Sequence, residues 1–485
     1  MDIITLFEEL MNSIFDAEEK FIENPKDFYS LEKSVKTSTE DFAAKYLGVV
    51  LSGVNKQICE SGWRDGCYAI QRNDKRTVIS SVGDITFDCT YFKRLSKDGG
   101  YSYLLEKMIG LERNERFTEK AEVLLLTEAL KTSYKEATRV IPSKQQISKT
   151  TVMNKVHSLA DEIPYKETQE IKKVEYLFIE ADEDHIAEQH GNSSVENKSM
   201  ISKLAYVYEC KQDAKGCTGR KELVNSFYFS GLYQGKEGNE RFWQNIQNYI
   251  VANYDNEYLK KVFISGDGAS WIKSGVDYIG KAVFCADKFH LMKYINLAAA
   301  QVLDEKELAK SELWHLLYSR KSKAKERFDE YTKQMMIAAK NPEKIENLRK
   351  YVLGNWRAIR RTLTNKLVEG CSAESHVSHV LSDRMSSRPM GWSQTGADRM
   401  SKLGCYERNY GRESIIELVR YSREQKQLKA TGTEDITTKA ISLRDIKREH
   451  YNQARSYIER IQAHIPGLTA RKTVAIRTQL KIIGD

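Results

Sequence analysis

None of the eight cysteines (Cys59, Cys67, Cys89, Cys210, Cys217, Cys285, Cys371, Cys405) forms a Cys-x-x-Cys pair. Their scatter argues against a disulfide framework and against a cysteine-built zinc site, and leaves most of the thiols as small buried side chains. No apolar run is long enough to cross a bilayer, and the opening MDIITLFEEL is acidic and amphipathic where a signal peptide is basic and then apolar. The expectation is a soluble chain of the cytoplasm with no membrane partner. Nor is there balance between the charges along the chain. Residues 1–40 carry 10 acids against 4 bases, whereas residues 421–485 carry 13 bases against 7 acids. Such basic segments on a polar surface suit a polyanionic partner.

The 485 residues leave room for about three domains. Residues 1–60 read as helical, with Ile4, Phe7, Leu10, Met11, Ile14 and Phe15 at helical spacing. That stripe packs against its own protein or holds a second copy. Residues 61–115 change period: Tyr68–Gln71, Thr77–Ser81 and Ile85–Lys93 are short β-rich runs with turns at Asn73–Asp74 and Gly83–Asp84, a small antiparallel meander. Helices return in residues 116–165, which hold a predicted helix-turn-helix. Ser133 with Glu136 makes a capping box for SYKEATRVI, Pro142 ends that helix, and Ser148 opens KTTVMNKVH. In a DNA reader the second helix enters the major groove, and Ser148, Lys149, Thr150, Asn154 and Lys155 would meet bases or phosphates. Two helices on a short loop are equally an ordinary packing unit.

Residues 170–300 carry the most telling stretch, VEYLFIEADEDHI (174–186), an apolar run ending in acids. As a strand it places Glu180, Asp182 and Asp184 on one face and Ile179, Ala181 and Glu183 on the other. Charge this dense at the end of a core strand is costly unless a cation, usually a divalent metal, sits among the acids. A solvated loop starting at Glu180 is the alternative. LAYVYEC (204–210), ELVNSFYFS (222–230), KVFIS (261–265) and KAVFC (281–285) read as further strands, with helices near 239–251 and from Leu291. The order β-β-β-α-β-α-β-α is that of an RNase H-like fold, whose first and fourth strands end side by side. Asp182 would then meet Asp267 of Gly266-Asp267-Gly268, and carboxylates at strand ends are what a pair of Mg²⁺ ions needs.

Residues 301–365 are expected to form an all-α insertion, where Arg320, Lys321 and Lys323 either contact phosphates or make a solvated helix face. Residues 366–410 return to the core, and residues 411–485 form a basic helical C-terminal region. A third acid is expected at Glu374 in GCSAESHVSHVLSDRMSSRPMGWS (370–393), on a helix capped by Ser372. His376, His379, Arg384, Arg388 and Ser393 follow it, groups suited to phosphate. Trp392 either stacks on a base or anchors the helix in the core.

Three stretches, IEADEDHI, FISGDGASWI followed by FCADKFH, and GCSAESHVSHVLSDRMSSRPMGWS, together resemble the bacterial insertion-sequence transposases of the ISLre group, relatives of the Mutator-like superfamily of DDE transposases. The resemblance runs from about Cys59 to about Gly411, and its last motif is the most specific. It implies Asp182, Asp267 and Glu374 as a metal-binding catalytic triad for two Mg²⁺ ions, with Mn²⁺ able to substitute. Asp287 and His290 would be the Asp-x-x-His signature that follows the second aspartate. Asp184 shares a face with Asp182 and stays open as the first acid, although Asp182 matches the family position better. Zinc on His185 and His290 has no cysteine pair behind it. The implied activity is cleavage at the terminal inverted repeats of an insertion sequence and strand transfer into target DNA by a dimer or larger assembly of the chain. Two other functions fit the same residues: a metal-dependent nuclease without strand transfer, and a domesticated sequence-specific DNA-binding protein.

Overall fold

The computed structural model describes residues 3–431 apart from 61, 63–65, 97–98, 113, 164–169, 190–198, 217–218, 303–304 and 389. The basic helical region expected at the C-terminus therefore lies mostly outside the described residues. Two compact units emerge, Met1–Ala160 with Ile415–Asp485, and Asp161–Ser414.

In the first unit, α1 (Ile3–Glu23) packs on α2 (Phe28–Glu60), burying Leu6 and Ala17. Within the predicted α1 stripe Leu10 and Ile14 are half-buried, whereas Ile4 (67% exposed), Phe7, Met11 and Phe15 (51%) are exposed. A three-stranded antiparallel sheet follows, β1 (Tyr68–Ser80), β2 (Gly83–Arg94) and β3 (Tyr101–Tyr103). The turn expected at Asn73–Asp74 does not form. Both residues stay in the β1 ladder, because Thr90 donates to Asn73 (2.7 Å) and Arg72 to Asp74 (2.8 Å), so their side chains are satisfied without a turn. α2 lies on β2 so closely that a Cβ at Gly48 would stand 2.4 Å from the Thr86 carbonyl oxygen. Then come α3 (Leu104–Met108), α4 (Glu119–Ala129), α5 (Tyr134–Ala137) and α6 (Lys149–His157), the last three packed together. Ser133 and Ser148 cap α5 and α6 by accepting from the Glu136 and Thr151 amides. The first of these helices is shorter than SYKEATRVI suggests, tightening into a 3₁₀ turn at Thr138–Val140 before Pro142.

The second unit is built on a mixed sheet of β4 (Tyr176–Ala187), β5 (Ser199–Tyr208), β8 (Phe227–Gly231), β9 (Lys261–Gly266) and β10 (Ala282–Ala286). A small side sheet holds β6 (Cys210–Asp213) and β7 (Lys221–Val224). The main order is β8-β5-β4-β9-β10, with β4, β9 and β10 parallel and β5 antiparallel to β4 and β8. α7 (Gly235–Asn253) supplies the long crossover that a parallel neighbour requires. Leu177, Ile179 and Ala181 pack with Val262, Ile264 and the α7 residues Phe242, Trp243 and Ile246 in the core on one face.

Of the two readings open for β4 the strand holds, and one expected strand divides. β4 does not end in a loop at Glu180 but pairs with β5 as far as Ala187 opposite Ser199, so all its acids lie on a strand. ELVNSFYFS splits at Asn225, whose φ of +52 breaks the ladder into β7 and β8. Asparagine is one of the few side chains that visits this left-handed region readily.

Short helices α8 (Ser270–Lys273) and α9 (Gly275–Tyr278) join β9 to β10. α10 (Lys288–Ala299), α11 (Lys306–Tyr318), α12 (Ala324–Ile337) and α13 (Pro342–Thr364) then bury Leu291, Leu313, Phe328 and Val352 in a second core. α14 (Ala373–Val377), a π-helical turn at Ser378–Ser382, α15 (Asp383–Met385) and α16 (Gln394–Tyr410) complete the unit. Among the described residues no helix is long and apolar enough to cross a membrane.

Candidate active site

Two parallel strands, β9 and β10, end alongside the middle of β4, and each is followed by an aspartate. Ser265 of β9 lies opposite Glu180 of β4 and opposite Cys285 of β10, so the chain leaves β9 at Asp267 and β10 at Asp287 next to the Asp182 position. The approach is close: a Cβ on Gly266 would stand 2.8 Å from the Ala181 carbonyl oxygen, so only glycine fits. Asp267 accepts from the Ala269 amide (2.8 Å), which turns the chain away from the sheet. Asp287 caps α10 through the Phe289 amide (2.9 Å), and its other oxygen holds His290 Nδ1 at 2.8 Å.

Electrostatics tie the group together. Burial, with the charge of Asp267, pushes the Asp182 carboxyl up to about 6, against the Glu183 amide and His290, which favour its charged form. His290 is raised above the ordinary histidine value, first by its bond to Asp287 and further by Asp182 and Asp267. A carboxylate destabilised by burial and by a second carboxylate is relieved by a shared cation, so Asp182 and Asp267 fit a divalent ion.

The other acids of this β4 face are occupied. Glu180, 1% exposed, accepts from Tyr206, from Tyr208 (2.7 Å), from Lys211 (2.7 Å) and from both the amide (2.6 Å) and hydroxyl (3.0 Å) of Ser372. Burial opposes its charge, but Lys211 and the tyrosines outweigh burial and hold its pKa below the ordinary value. Asp184 accepts from Ser386 Oγ at 3.0 and 2.8 Å. Asp182 differs from both in facing Asp267 and His290, which favours it as the first acid.

Glu374 sits exposed in the first turn of α14, a helix that packs on β4. Ser372 does not cap that helix as expected, because its hydroxyl is turned to Glu180. Among the described residues no group of three or more His, Cys, Asp or Glu side chains is gathered as a metal site, so Asp182 and Asp267, whose charges act on each other, are completed neither by Glu374 nor by Asp287 and His290. Two residues that sequence reasoning missed border the pair. Asn355 of α13 lies against Gly268, with its amide nitrogen 3.3 Å from where a Cβ would be. Tyr351, one turn earlier, stacks on Tyr294, and its buried hydroxyl has no hydrogen-bond partner among the described residues. Burial, then the charges of Asp287 and Asp267, raises its pKa.

The model of an uncharacterised protein family, UPF0236, matches residues 22–421. The chain belongs to the UPF0236 family. A relative named for eleven loci of Caldanaerobacter subterraneus subsp. tengcongensis is 32% identical over 431 residues, 87% of each chain. A second UPF0236 protein of that organism is 30% identical over 437 residues, 88% of each chain. Among solved structures, the Drosophila P element transposase strand transfer complex aligns with 66% of this chain and 83% of that chain at 13% identity, with a TM-score of 0.20.

The DNA-facing residues expected in this UPF0236 chain fall into two groups. Ser148, Lys149, Thr150 and Asn154 are exposed on α6, as are Arg320, Lys321 and Lys323 between α11 and α12, and Arg388. Lys155, Arg384 and Trp392 are not available. Lys155 is drawn in by Glu115 (2.8 Å) and Glu122 (3.0 Å). Trp392 is 5% exposed, donates to the Met385 carbonyl (3.0 Å) and carries the buried Arg384 guanidinium 4.7 Å from its ring centroid. It anchors the core, because its backbone is also zipped to the end of β4 through Ala187 and Gln189.

Proposed function

We propose that this chain is a DNA transposase of the DDE type, which cuts and joins DNA strands where β9 and β10 end alongside Asp182 of β4. The observation that carries the reading is the convergence of Asp182 and Asp267 beside the Asp287–His290 pair. The strand order, with an antiparallel trio continued by two parallel strands, supports an RNase H-like core. The α5–α6 pair, with Ser148, Lys149, Thr150 and Asn154 exposed, supports a helix-turn-helix that reads double-stranded DNA at the element's terminal repeats. A relative named for eleven loci of one genome is what a gene that copies itself leaves behind.

Asp182 and Asp267 would hold Mg²⁺ or Mn²⁺, with Glu374 as the third acid. The ion would supply a lowered pKa for the attacking oxygen and charge stabilisation at the phosphate. Asp287 fixes the ring of His290 beside the acid pair. Arg320, Lys321, Lys323 and Arg388 are left to neutralise DNA backbone.

The test is an assay with purified protein, a duplex carrying the element's end, a target plasmid and Mg²⁺. Joined product from the parent and none from Asp267→Asn supports the proposal. Nicks without joining would make the chain a nuclease of the same core. Identical products from parent and variant would end both readings.

A further inference from the structure

Glu180, Asp182 and Asp184 stand in a row on one face of β4, and the outer two are bound by a single distant segment. Glu180 takes the amide and hydroxyl of Ser372, and its partner Lys211 reaches the carbonyl oxygens of Glu369 (3.2 Å) and Gly370 (2.9 Å). Asp184 accepts the Ser386 hydroxyl, shared between its two oxygens at 3.0 and 2.8 Å, and a further bond from Ser382. Between these anchors runs the helix that carries Glu374, interrupted by the π-helical turn Ser378–Ser382.

We propose that Glu180 and Asp184 are positioning residues, a two-point mount on β4 that sets where the Glu374 helix stands relative to Asp182 and Asp267. The inference rests on reading the site as a metal-dependent DNA-cleaving centre. Alternate residues of a strand are about 6.5–7 Å apart, so the anchors flank the Asp182 position on both sides. Charge-assisted bonds are short and directional, and they fix a loop more narrowly than apolar contact does. Ser372 shows the priority: it occupies the N-cap position yet makes no side-chain cap, its hydroxyl going to Glu180 instead. His376, one turn on, adds a lateral stop, its ring 4.4 Å from that of Tyr206 and its Nδ1 3.0 Å from the Tyr228 hydroxyl. A π-helical turn inserts an extra residue into the helical repeat, which lets each end of the segment meet its own anchor.

The experiment compares full-length parent, Glu180→Gln and Ser386→Ala, with Asp267→Asn as the control for chemistry. Amide hydrogen exchange is measured without metal, and cleavage of an end-bearing duplex is titrated with Mg²⁺. Glu180→Gln is expected to speed exchange over residues 370–376 and leave α16 unchanged, and Ser386→Ala to act over residues 382–386. Each should raise the Mg²⁺ needed for half-maximal cleavage about tenfold, the usual scale for a residue that orients a ligand, with KM for DNA unchanged. Tyr208→Phe, which removes one donor to Glu180, should shift both readouts the same way by less, and serves if Glu180→Gln fails to fold. Unchanged exchange over 370–376 overturns the mount. Faster exchange with an unchanged Mg²⁺ requirement overturns the positioning role. Equal cleavage by parent and Asp267→Asn removes the functional reading and the positioning role with it, whereas the exchange data still decide whether the mount exists.

Discussion

Replacing Lys211 by methionine isolates the energetics of the buried carboxylate beside the site. The pair is enclosed, with the Lys211 side chain 9% exposed and that of Glu180 1%. Removing one partner of a buried ion pair costs about 3–5 kcal/mol, because the remaining charge is left without compensation. Tyr206, Tyr208 and the two Ser372 donors stay in place, so the loss belongs near the lower end, about 3 kcal/mol. The sign with pH follows from the depressed Glu180 value. In the parent, the carboxylate contributes stability that is present above its unfolded pKa of about 4.3 and lost as pH falls through the lower folded value. Without Lys211 burial prevails and the folded pKa rises, so the deficit is greatest at neutral pH and shrinks in acid as Glu180 takes a proton. Urea unfolding followed by tryptophan fluorescence, near pH 7 and again near pH 4, reads both limbs. The pair Glu180→Gln/Lys211→Met, with no charge left to bury, should recover most of the loss at neutral pH. A Lys211→Met deficit below about 1 kcal/mol at neutral pH, the scale of a surface pair, would refute the reasoning, as would a double variant no more stable than the single one.

Four further outcomes are expected. Asp182 sits at about 6, so its ionisation works against the fold: the penalty is absent below the unfolded value of about 3.9, grows as pH rises and is complete above about 6, reaching roughly 3 kcal/mol. Asp182→Asn should therefore raise the Tm of metal-free protein at alkaline pH and not in acid, and a gain independent of pH would contradict this. His376 is pushed down to about 4 by burial and then by Arg408, so its stability contribution is present above about 6.5 and drains away as pH falls towards 4. His376→Phe should flatten that acid limb in a Tm-versus-pH series, and an unaltered slope counts against it. Trp392→Ala should cost about 3–5 kcal/mol in chemical denaturation with DNA affinity unchanged in conditions where it is folded, whereas a selective loss of affinity would restore a DNA-stacking role. Tyr351→Phe removes a buried hydroxyl without a partner among the described residues and should stabilise by about 1 kcal/mol, and a lower Tm would reveal a bond to that hydroxyl.

The mixed α/β character and the meeting of Asp182 with Asp267 were legible because both follow from short-range rules. Side chains alternate along a strand, short links make antiparallel neighbours, and a helix between strands permits a parallel one. What escaped depends on residues far away in the chain. Glu180 finds Ser372 across 192 positions and Asp184 finds Ser386 across 202. Lys155 reads as a phosphate contact until Glu115 and Glu122 are seen to hold it, and Asn225 reads as one more strand residue until its backbone breaks the ladder. Asn73 and Asp74 have the composition of a turn, yet Thr90 of β2 and Tyr103 of β3, partners across the sheet, keep them extended.

These failures share a cause that bears on the site itself. A polar residue in a sequence declares its need for a partner but not which partner it finds, and that choice decides whether it is structural or free for chemistry. Along β4 three acids of similar type stand on one face, equally plausible by pattern. Cations and hydroxyls brought from elsewhere in the fold engage Glu180 and Asp184, while Asp182 is left facing Asp267 with its charge opposed by burial. The distinction between anchor and reactive acid is therefore a property of the tertiary contacts. It is also why Ser386→Ala, far along the sequence and bearing no charge, is expected to disturb the chemistry more than loss of an exposed lysine such as Lys321.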